Sequence, residues 1–182
     1  MTSQGAVIYS GVVNVSTLST GGTYSLPNLS AINVDGQSAS EFSLTSYGSK
    51  IKIHQLGSFS ADFDFVGTSS SPTNHASGVS VGASSSFSSN ANADIPSSFG
   101  VASNSYIGFR FNPSGSQTLY GWGQLSLSAD STTMTLVDYA YDDTGASILT
   151  AAVPEPSVSL LGLMGLTSVC FLRSRKIREV AG

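Results

Sequence analysis

The segment Gly78-Val79-Ser80-Val81-Gly82 has the letters of a nucleophile elbow, G-x-S-x-G, in which a serine attacks an acyl group. Such an elbow follows a strand, precedes a helix and needs a histidine further along the chain. Both histidines, His54 and His75, precede Ser80, and the surrounding Ser/Gly-rich sequence produces these letters by accident. We therefore predict no catalysis at Ser80 and expect the chain not to be an enzyme.

Residues 33–41, NVDGQSASE, place oxygen-bearing side chains at the spacing of a D-x-[DN]-x-[DN]-G calcium loop. An asparagine replaces the first aspartate, and Ser38 stands where the loop needs glycine. Asn33, Asp35 and Glu41 are therefore candidates for a weak calcium site, with no other cofactor expected. An ordinary Asp-Gly hairpin turn is the simpler interpretation.

The chain's single tryptophan lies in Tyr120-Gly121-Trp122-Gly123, where small neighbours would leave one indole face open to a sugar. Tyr139 and Tyr141 point to one side of the next predicted strand. A hairpin between the two strands would bring Tyr120, Trp122, Tyr139 and Tyr141 to one face, which predicts carbohydrate binding. The alternative is that Trp122 anchors the core, which is the commoner role of a lone tryptophan.

Charge is distributed unevenly along the chain. Residues 1–153 hold three basic residues against nine acidic ones, which gives −6, whereas the whole chain carries −4. An acidic body argues against a nucleic-acid partner, because that binding depends on Lys and Arg contacts to phosphate. Nine acids also leave open a carboxylate pair for glycoside hydrolysis, although no spacing nominates one.

Before residue 158 the hydrophobic pattern has the period of two that is typical of strands. In Tyr106-Ile107-Gly108-Phe109-Arg110-Phe111, for example, three apolar side chains alternate with other residues. The predicted strands are 6–15, 31–34, 41–45, 51–56, 59–66, 105–111, 118–127 and 132–141. Short connections between them favour an all-β fold, a single β-sandwich of jelly-roll type. Residues 67–98, rich in Ser, Gly and Asn, are predicted to be a flexible excursion with one weak strand near Val79 to Ser85.

The end of the chain combines three features in a fixed order. Pro154 and Pro156 fix φ, so residues 153–157 are predicted to be stiff and non-helical. An uncharged apolar run follows at 158–172, and as a helix it spans roughly 22 Å, somewhat short of a hydrocarbon core of about 30 Å. Four basic residues then hold its end on the cytoplasmic side: Arg173, Arg175, Lys176 and Arg178.

In this order, Val153-Pro154-Glu155-Pro156, the apolar run and the basic cluster resemble the PEP-CTERM sorting signal of bacterial exported proteins. The resemblance implies that an exosortase, a membrane-embedded cysteine protease or transpeptidase, recognises and removes the tail. It also implies anchoring in the inner membrane through 158–172 before processing. The protein would then reach the cell envelope, cell surface or extracellular matrix of a Gram-negative bacterium. An ordinary single-pass anchor that is never cut is the alternative.

These observations predict two parts, an exported body over residues 1–152 and a sorting tail over residues 153–182. The body is expected to have a structural or adhesive role with exopolysaccharide. The alternative is a carbohydrate-binding module or a weak glycoside-active enzyme. Met1 to Tyr9 lacks the basic and apolar regions of a signal peptide, so we expect the true start to lie upstream of Met1, and export by another route is the alternative.

Overall fold

The computed structural model describes residues 6–17, 19–20, 30–36, 40–47, 50–55, 63–68, 70–88, 92–95, 99, 105–113 and 117–154. Within these ranges the chain forms strands and no α-helix, which confirms the all-β prediction. The strands are β1 (Val7–Tyr9), β2 (Val15–Ser16), β3 (Ser19–Thr20), β4 (Ser30–Ile32), β5 (Phe42–Tyr47), β6 (Lys50–Gln55), β7 (Phe63–Val66), β8 (Ser80–Val81), β9 (Phe87–Ser88), β10 (Asn92–Asp94), β11 (Ser105–Phe111), β12 (Leu119–Leu127), β13 (Met134–Asp142) and β14 (Ile148–Leu149).

These strands form a large sheet, a second sheet and a small two-stranded sheet. The large sheet has the order β1-β13-β12-β11-β7-β9, and β2 also pairs with β13. The second sheet has the order β10-β6-β5-β3, and β4 also pairs with β5, while β14 pairs with β8 in the small sheet. The pairings are antiparallel apart from β3 with β5, as expected for strands joined by short connections.

The main core lies on one face of the large sheet, which we call the inner face. On β11 the alternation predicted from the sequence places Ile107, Phe109 and Phe111 on this face, all buried. The second sheet contributes to the same core, because the Phe42 ring of β5 lies 4.9 Å from the Phe63 ring of β7 between centroids. The two sheets therefore share one apolar core, and the specific jelly-roll-like sandwich stays a prediction.

The opposite side of the large sheet, which we call the outer face, is also covered. A second apolar cluster lies there, and it includes Trp122 of β12 and Val81 and Ile148 of the small sheet. The described part of 67–98 thus belongs to the packed body: it contains β8, β9 and β10, which pair with β14, β7 and β6. The expected flexible excursion with one weak strand was wrong in this respect, because its few apolar residues, such as fully buried Val81, pack against the large sheet.

A β-bulge interrupts the long hairpin of β12 and β13. Leu125 pairs with Leu136 and Gln124 pairs with Asp138, so Val137 has no partner on β12. For the β12 residues that precede Leu125, the extra residue shifts the partner on β13 by one position. The Val137 carbonyl accepts backbone hydrogen bonds from Val13 at 2.8 Å and from Asn14 at 3.2 Å, so it is bonded to the chain leading into β2.

Candidate functional site at the outer face and the C-terminal junction

Trp122 is the centre of the outer-face cluster. Its side chain is only 1% exposed, and its Nε1–H donates to the carbonyl oxygen of Ala152 at 3.2 Å. The Tyr106 ring lies edge-on at 5.5 Å from the indole, and the Tyr9 ring lies at 6.4 Å, both measured between centroids. Buried tryptophans usually find such a partner for the indole N–H. Here the partner is the main chain just before the two exposed residues Val153 and Pro154.

We call residues 148–152 the junction, since they connect the body to the C-terminal tail. Ile148 and Leu149 pair with Val81 and Ser80, and Ile148 is buried. Thr150 is 2% exposed, and its hydroxyl accepts from the Val79 N–H at 2.9 Å and donates to the Ala76 carbonyl at 2.6 Å. Each such hydrogen bond contributes about 0.5–1.5 kcal/mol net. The junction is therefore fastened from both sides to the body.

The junction ends in a tight turn. The Ala152 N–H donates to the Leu149 carbonyl at 3.0 Å, and Ala151 between them has φ of +66°. An alanine at this positive φ costs roughly 1 kcal/mol. Part of the free energy gained by fastening the junction therefore offsets this strain.

A buried carboxylate lies beside the tryptophan. Asp138 is 8% exposed, and its Oδ2 accepts a hydrogen bond from the Tyr9 hydroxyl at 2.8 Å. That hydrogen bond, together with desolvation and the negative charge, raises the pKa of Tyr9. The pKa of Tyr106 is raised by burial and also by the charge of Asp138. Tyr9 connects β1 to β13, so this group of polar atoms stabilises the edge of the sheet.

An ion pair occupies the other end of the outer face. The Arg110 guanidinium donates to Asp64 Oδ2 through Nε at 2.7 Å, and its Nη2 lies 2.6 Å from the same oxygen. Asp64 is 5% exposed, whereas 43% of the Arg110 side chain is accessible. The guanidinium also lies 4.7 Å from the centroid of the Phe87 ring, a cation–π distance. The pair therefore joins β7, β9 and β11 in the large sheet.

The G-x-S-x-G segment does not form a nucleophile elbow. Ser80 lies in β8, and the following residues form a turn in which Ser85 N–H donates to the Gly82 carbonyl at 2.9 Å. A turn rather than a helix therefore follows the serine. Residues 78–85 therefore do not form the strand–turn–helix arrangement that a nucleophile elbow requires.

The candidate calcium residues form a compact turn. Asn33 Oδ1 accepts from the Gly36 N–H at 2.7 Å, and Gly36 has φ of +74°, a value that suits glycine. Glu41 Oε2 accepts from the Val34 N–H at 2.6 Å. Burial raises the pKa of Glu41, the Val34 hydrogen bond opposes this, and nearby Asp35 raises it further.

These contacts fit the simpler of the two interpretations of the loop. An oxygen of Asn33 and an oxygen of Glu41 are already bonded within it. The described ranges hold no group of three or more His, Cys, Asp or Glu residues that could bind a metal, and residues 37–39 lie outside those ranges. The geometry is that of an Asp-Gly turn, and calcium binding stays a prediction.

The four candidate sugar-binding rings do not share one face, and this expectation was wrong. Trp122 pairs with Ala140, and Tyr120 pairs with Asp142. Tyr139 and Tyr141 pair instead with the glycines of β12 and pack against the inner core. The cause is the bulge: if Val137 were paired with Gln124 in a regular ladder, Trp122 would pair with Tyr139 and Tyr120 with Tyr141.

The glycines beside Trp122 also have another role than the one expected. A Cβ on Gly121 would lie 2.5 Å from Phe109 Cζ and 2.6 Å from the Ala140 carbonyl oxygen. The missing side chain therefore makes room for the inner core and leaves no open indole face. With Trp122 1% and Tyr120 9% exposed, neither ring forms a surface platform. Binding of carbohydrate by another surface of the body stays a prediction.

The described chain is thus an all-β body whose last strand is fastened to its outer face just before the C-terminal tail. A family model of the PEP-CTERM protein-sorting motif matches residues 152–176, which confirms the resemblance stated above. The motif implies an exported protein that is anchored at the membrane and then processed by an exosortase. No curated protein and no solved structure matches the chain.

The structure describes the first two residues of the predicted sorting sequence, Val153 and Pro154, and both are exposed. Glu155, Pro156, the apolar run and the basic cluster lie outside the described residues. No helix in the described ranges is long and apolar enough to cross a membrane. The predicted helix over 158–172 lies beyond those ranges, so it stays a prediction.

Sequence reasoning missed the junction. The segment Ile148-Leu149-Thr150 is too short to show a period, and the hydroxyl of Thr150 gives no sign of being buried. One signal was available, since a buried tryptophan needs an acceptor for its N–H. That signal predicts that a partner exists but does not identify Ala152.

Proposed function

We propose that the chain is a non-enzymatic surface or matrix protein of a Gram-negative bacterium. An exosortase sorts it through residues 153–178, and a jelly-roll-like β-sandwich forms its body. The body has a structural or adhesive role with exopolysaccharide. The observation that carries the proposal is the PEP-CTERM match, which begins at Ala152, the last junction residue.

A structural role is supported by the contacts of the acidic side chains, which fasten parts of the body to one another. Asp142 Oδ1 accepts from the N–H groups of Thr144 and Ala146 and so closes the turn after β13. Asp130 Oδ1 accepts from the Ser128 hydroxyl and from the Thr132 N–H and so closes the β12–β13 turn. The remaining structural contacts of this kind are Asp64 with Arg110, Asp94 with Lys50 and Lys52, Asp138 with Tyr9, Asp143 with the Ala6 N–H, and Glu41 with the Val34 N–H.

The sorting part of the proposal is tested by the intact mass of the protein recovered from its native envelope. We expect the wild type to lose its tail and the full-length form to accumulate in a strain without exosortase. Glu155→Gln, inside the motif, should reduce processing. Glu179→Gln is the matched control, because it lies beyond the matched residues and should be processed normally. Full-length protein in both strains contradicts exosortase processing.

The polysaccharide part needs a separate experiment. Processed protein is mixed with cell-free exopolysaccharide of the same strain, and the retained fraction is measured by co-sedimentation. Retention supports the adhesive role, and its absence contradicts it. Trp122→Ala is unsuitable as a loss-of-binding variant, because removing a buried tryptophan costs about 3–5 kcal/mol and disturbs the fold itself.

A further inference from the structure

We infer that the junction, residues 148–152, is a gate for processing: it must detach from the body before the exosortase can cut the tail. This inference rests on the proposed function. It concerns the state of the substrate and assigns no residue to the enzyme. Trp122 and Thr150 are then positioning residues, because they act by holding the chain that leads into the sorting sequence.

Several groups of the junction are already hydrogen-bonded to the body. The Thr150 N–H donates to the Val79 carbonyl at 2.9 Å. The Thr150 hydroxyl accepts from the Val79 N–H and donates to the Ala76 carbonyl. The Ala152 carbonyl accepts from the Trp122 indole at 3.2 Å. A protease binds its substrate through main-chain groups and neighbouring side chains. The main-chain groups and side chains of the junction become accessible to the enzyme only when these hydrogen bonds break.

Only a short stretch of sequence separates the junction from the predicted membrane segment. Five residues, 153–157, separate Ala152 from the apolar run that begins at Val158. At about 3.3–3.6 Å per residue, even a fully extended chain covers only about 17 Å. A membrane-embedded enzyme must therefore work directly beside the folded body. Detaching the five junction residues adds about 17 Å of reach.

The junction is held weakly enough to detach on its own. Its pairing with β8 spans two residue pairs, and Ala151 keeps a strained φ of +66°. Leu149 is 51% exposed, so the apolar surface that detachment exposes is mainly that of Ile148, with smaller parts of Ala151 and Ala152. Segments with few buried contacts open locally without global unfolding, and cleavage then follows the open population.

The test compares processing rates of full-length variants in the native host, measured as the mass shift after a pulse of expression. Thr150→Val keeps the shape of the side chain but removes both hydroxyl hydrogen bonds, and Trp122→Phe removes the bond to Ala152. Trp122→Phe should process about fivefold faster, the effect of losing roughly one hydrogen bond, and Thr150→Val, which loses two, should process about 25-fold faster. Thr150→Ser keeps the hydroxyl and should restore the wild-type rate.

The matched control is Thr73→Val, the same substitution at an exposed threonine outside the junction. Hydrogen exchange at the Thr150 and Ala152 amides should accelerate in the two gate variants, while the amides of β11 keep their protection. A further variant carries a Gly/Ser insertion between Ala152 and Val153, which supplies reach without opening and leaves Val153-Pro154-Glu155-Pro156 intact. In that background Thr150→Val should no longer change the rate.

The outcomes separate the gate from the sorting proposal. If wild type is processed and Thr150→Val and Trp122→Phe are processed at the same rate or more slowly, despite faster exchange at the junction, the gate is refuted and sorting stands. If wild type keeps its full mass with and without the exosortase, the proposed function fails and the gate fails with it. Faster processing in both variants, abolished by the insertion, supports the gate.

Discussion

Replacing Gly121 by alanine should destabilise the body, whereas the same change at Gly123 should not. The two glycines lie two positions apart on β12, and both face the inner core. A Cβ on Gly121 would lie 2.6 Å from the carbonyl oxygen of Ala140, which belongs to the neighbouring strand and cannot move without disturbing the sheet. A Cβ on Gly123 would meet the terminal Cδ1 of Leu136 at 3.0 Å, and a side-chain end can yield.

The size of the effect follows from two opposing contributions. Overpacking a close-packed core costs about 1–3 kcal/mol. Removing a glycine from a strand returns about 0.5–1 kcal/mol, because the unfolded chain loses freedom. For Gly121→Ala the sum is a loss of about 1–2 kcal/mol, or about 3–6 °C in Tm for a domain of this size. For Gly123→Ala the two contributions nearly cancel, and the variant stays within about 0.5 kcal/mol of wild type.

The assay is urea unfolding of the purified full-length protein, followed by the fluorescence of Trp122. This residue is the chain's only tryptophan and is fully buried, so its emission reports exposure of the outer face. The slope of the transition should be the same for both variants, since the unfolded chains expose the same surface. Equal midpoints for Gly121→Ala and Gly123→Ala, or a less stable Gly123→Ala, would refute the packing argument.

Four further predictions concern ion pairs, a half-buried histidine and a hydrogen bond of the body. Asp64→Asn should cost about 1–3 kcal/mol, because it weakens the hydrogen-bonded pair with Arg110 and leaves a guanidinium that is only partly accessible to water. Lys50→Met, at a pair in which Lys50 is 63% exposed, should cost less than about 1 kcal/mol by urea unfolding, and equal costs would contradict the importance of burial. Burial lowers the pKa of His75, so the unfolded chain binds a proton at this residue more readily than the folded chain does. The free energy of unfolding should therefore be undiminished by His75 above the ordinary pKa of about 6.5 and should fall as the pH drops below it. The urea midpoint of wild type should therefore decrease from pH 7 to pH 5, and it should decrease less in His75→Gln; an identical decrease in both would show that another group is responsible. Tyr9→Phe removes the hydroxyl that bonds Asp138 and should lower stability by about 1–2 kcal/mol, measured by thermal unfolding, whereas an unchanged Tm would show that water replaces the hydroxyl without cost.

The strands of the body were predictable where alternation is strong. β11 and β12 lie at 105–111 and 119–127, against predictions of 105–111 and 118–127. Period two determines which side chains share a face within one strand, so Ile107, Phe109 and Phe111 were assigned together correctly. The sorting motif was equally predictable, because it is defined by the order of prolines, apolar residues and basic residues along the sequence.

Relations between strands were not predictable in the same way. The prediction of a carbohydrate-binding face with four rings required a regular hairpin. The bulge at Val137 was enough to place two of the rings on the opposite face of the sheet. A bulge leaves almost no trace in composition, since alternation continues on each side of it. The small sheet over the outer face was missed for a related reason: β8 and β14 each have two residues, and their pairing joins segments far apart in the chain.

The position of β1 has a consequence for the order of events during biogenesis. β1 pairs with β13, and its Tyr9 ring contacts the same tryptophan that holds Ala152. The first described strand, β1, can therefore join the large sheet only after β13 is available. Contacts between residues so distant in sequence form late. In a chain that crosses a membrane from its N-terminus, the large sheet cannot close before residues 134–152 have emerged. Completion of folding therefore coincides with the arrival of the sorting sequence, so an incompletely translocated chain stays open to proteolysis.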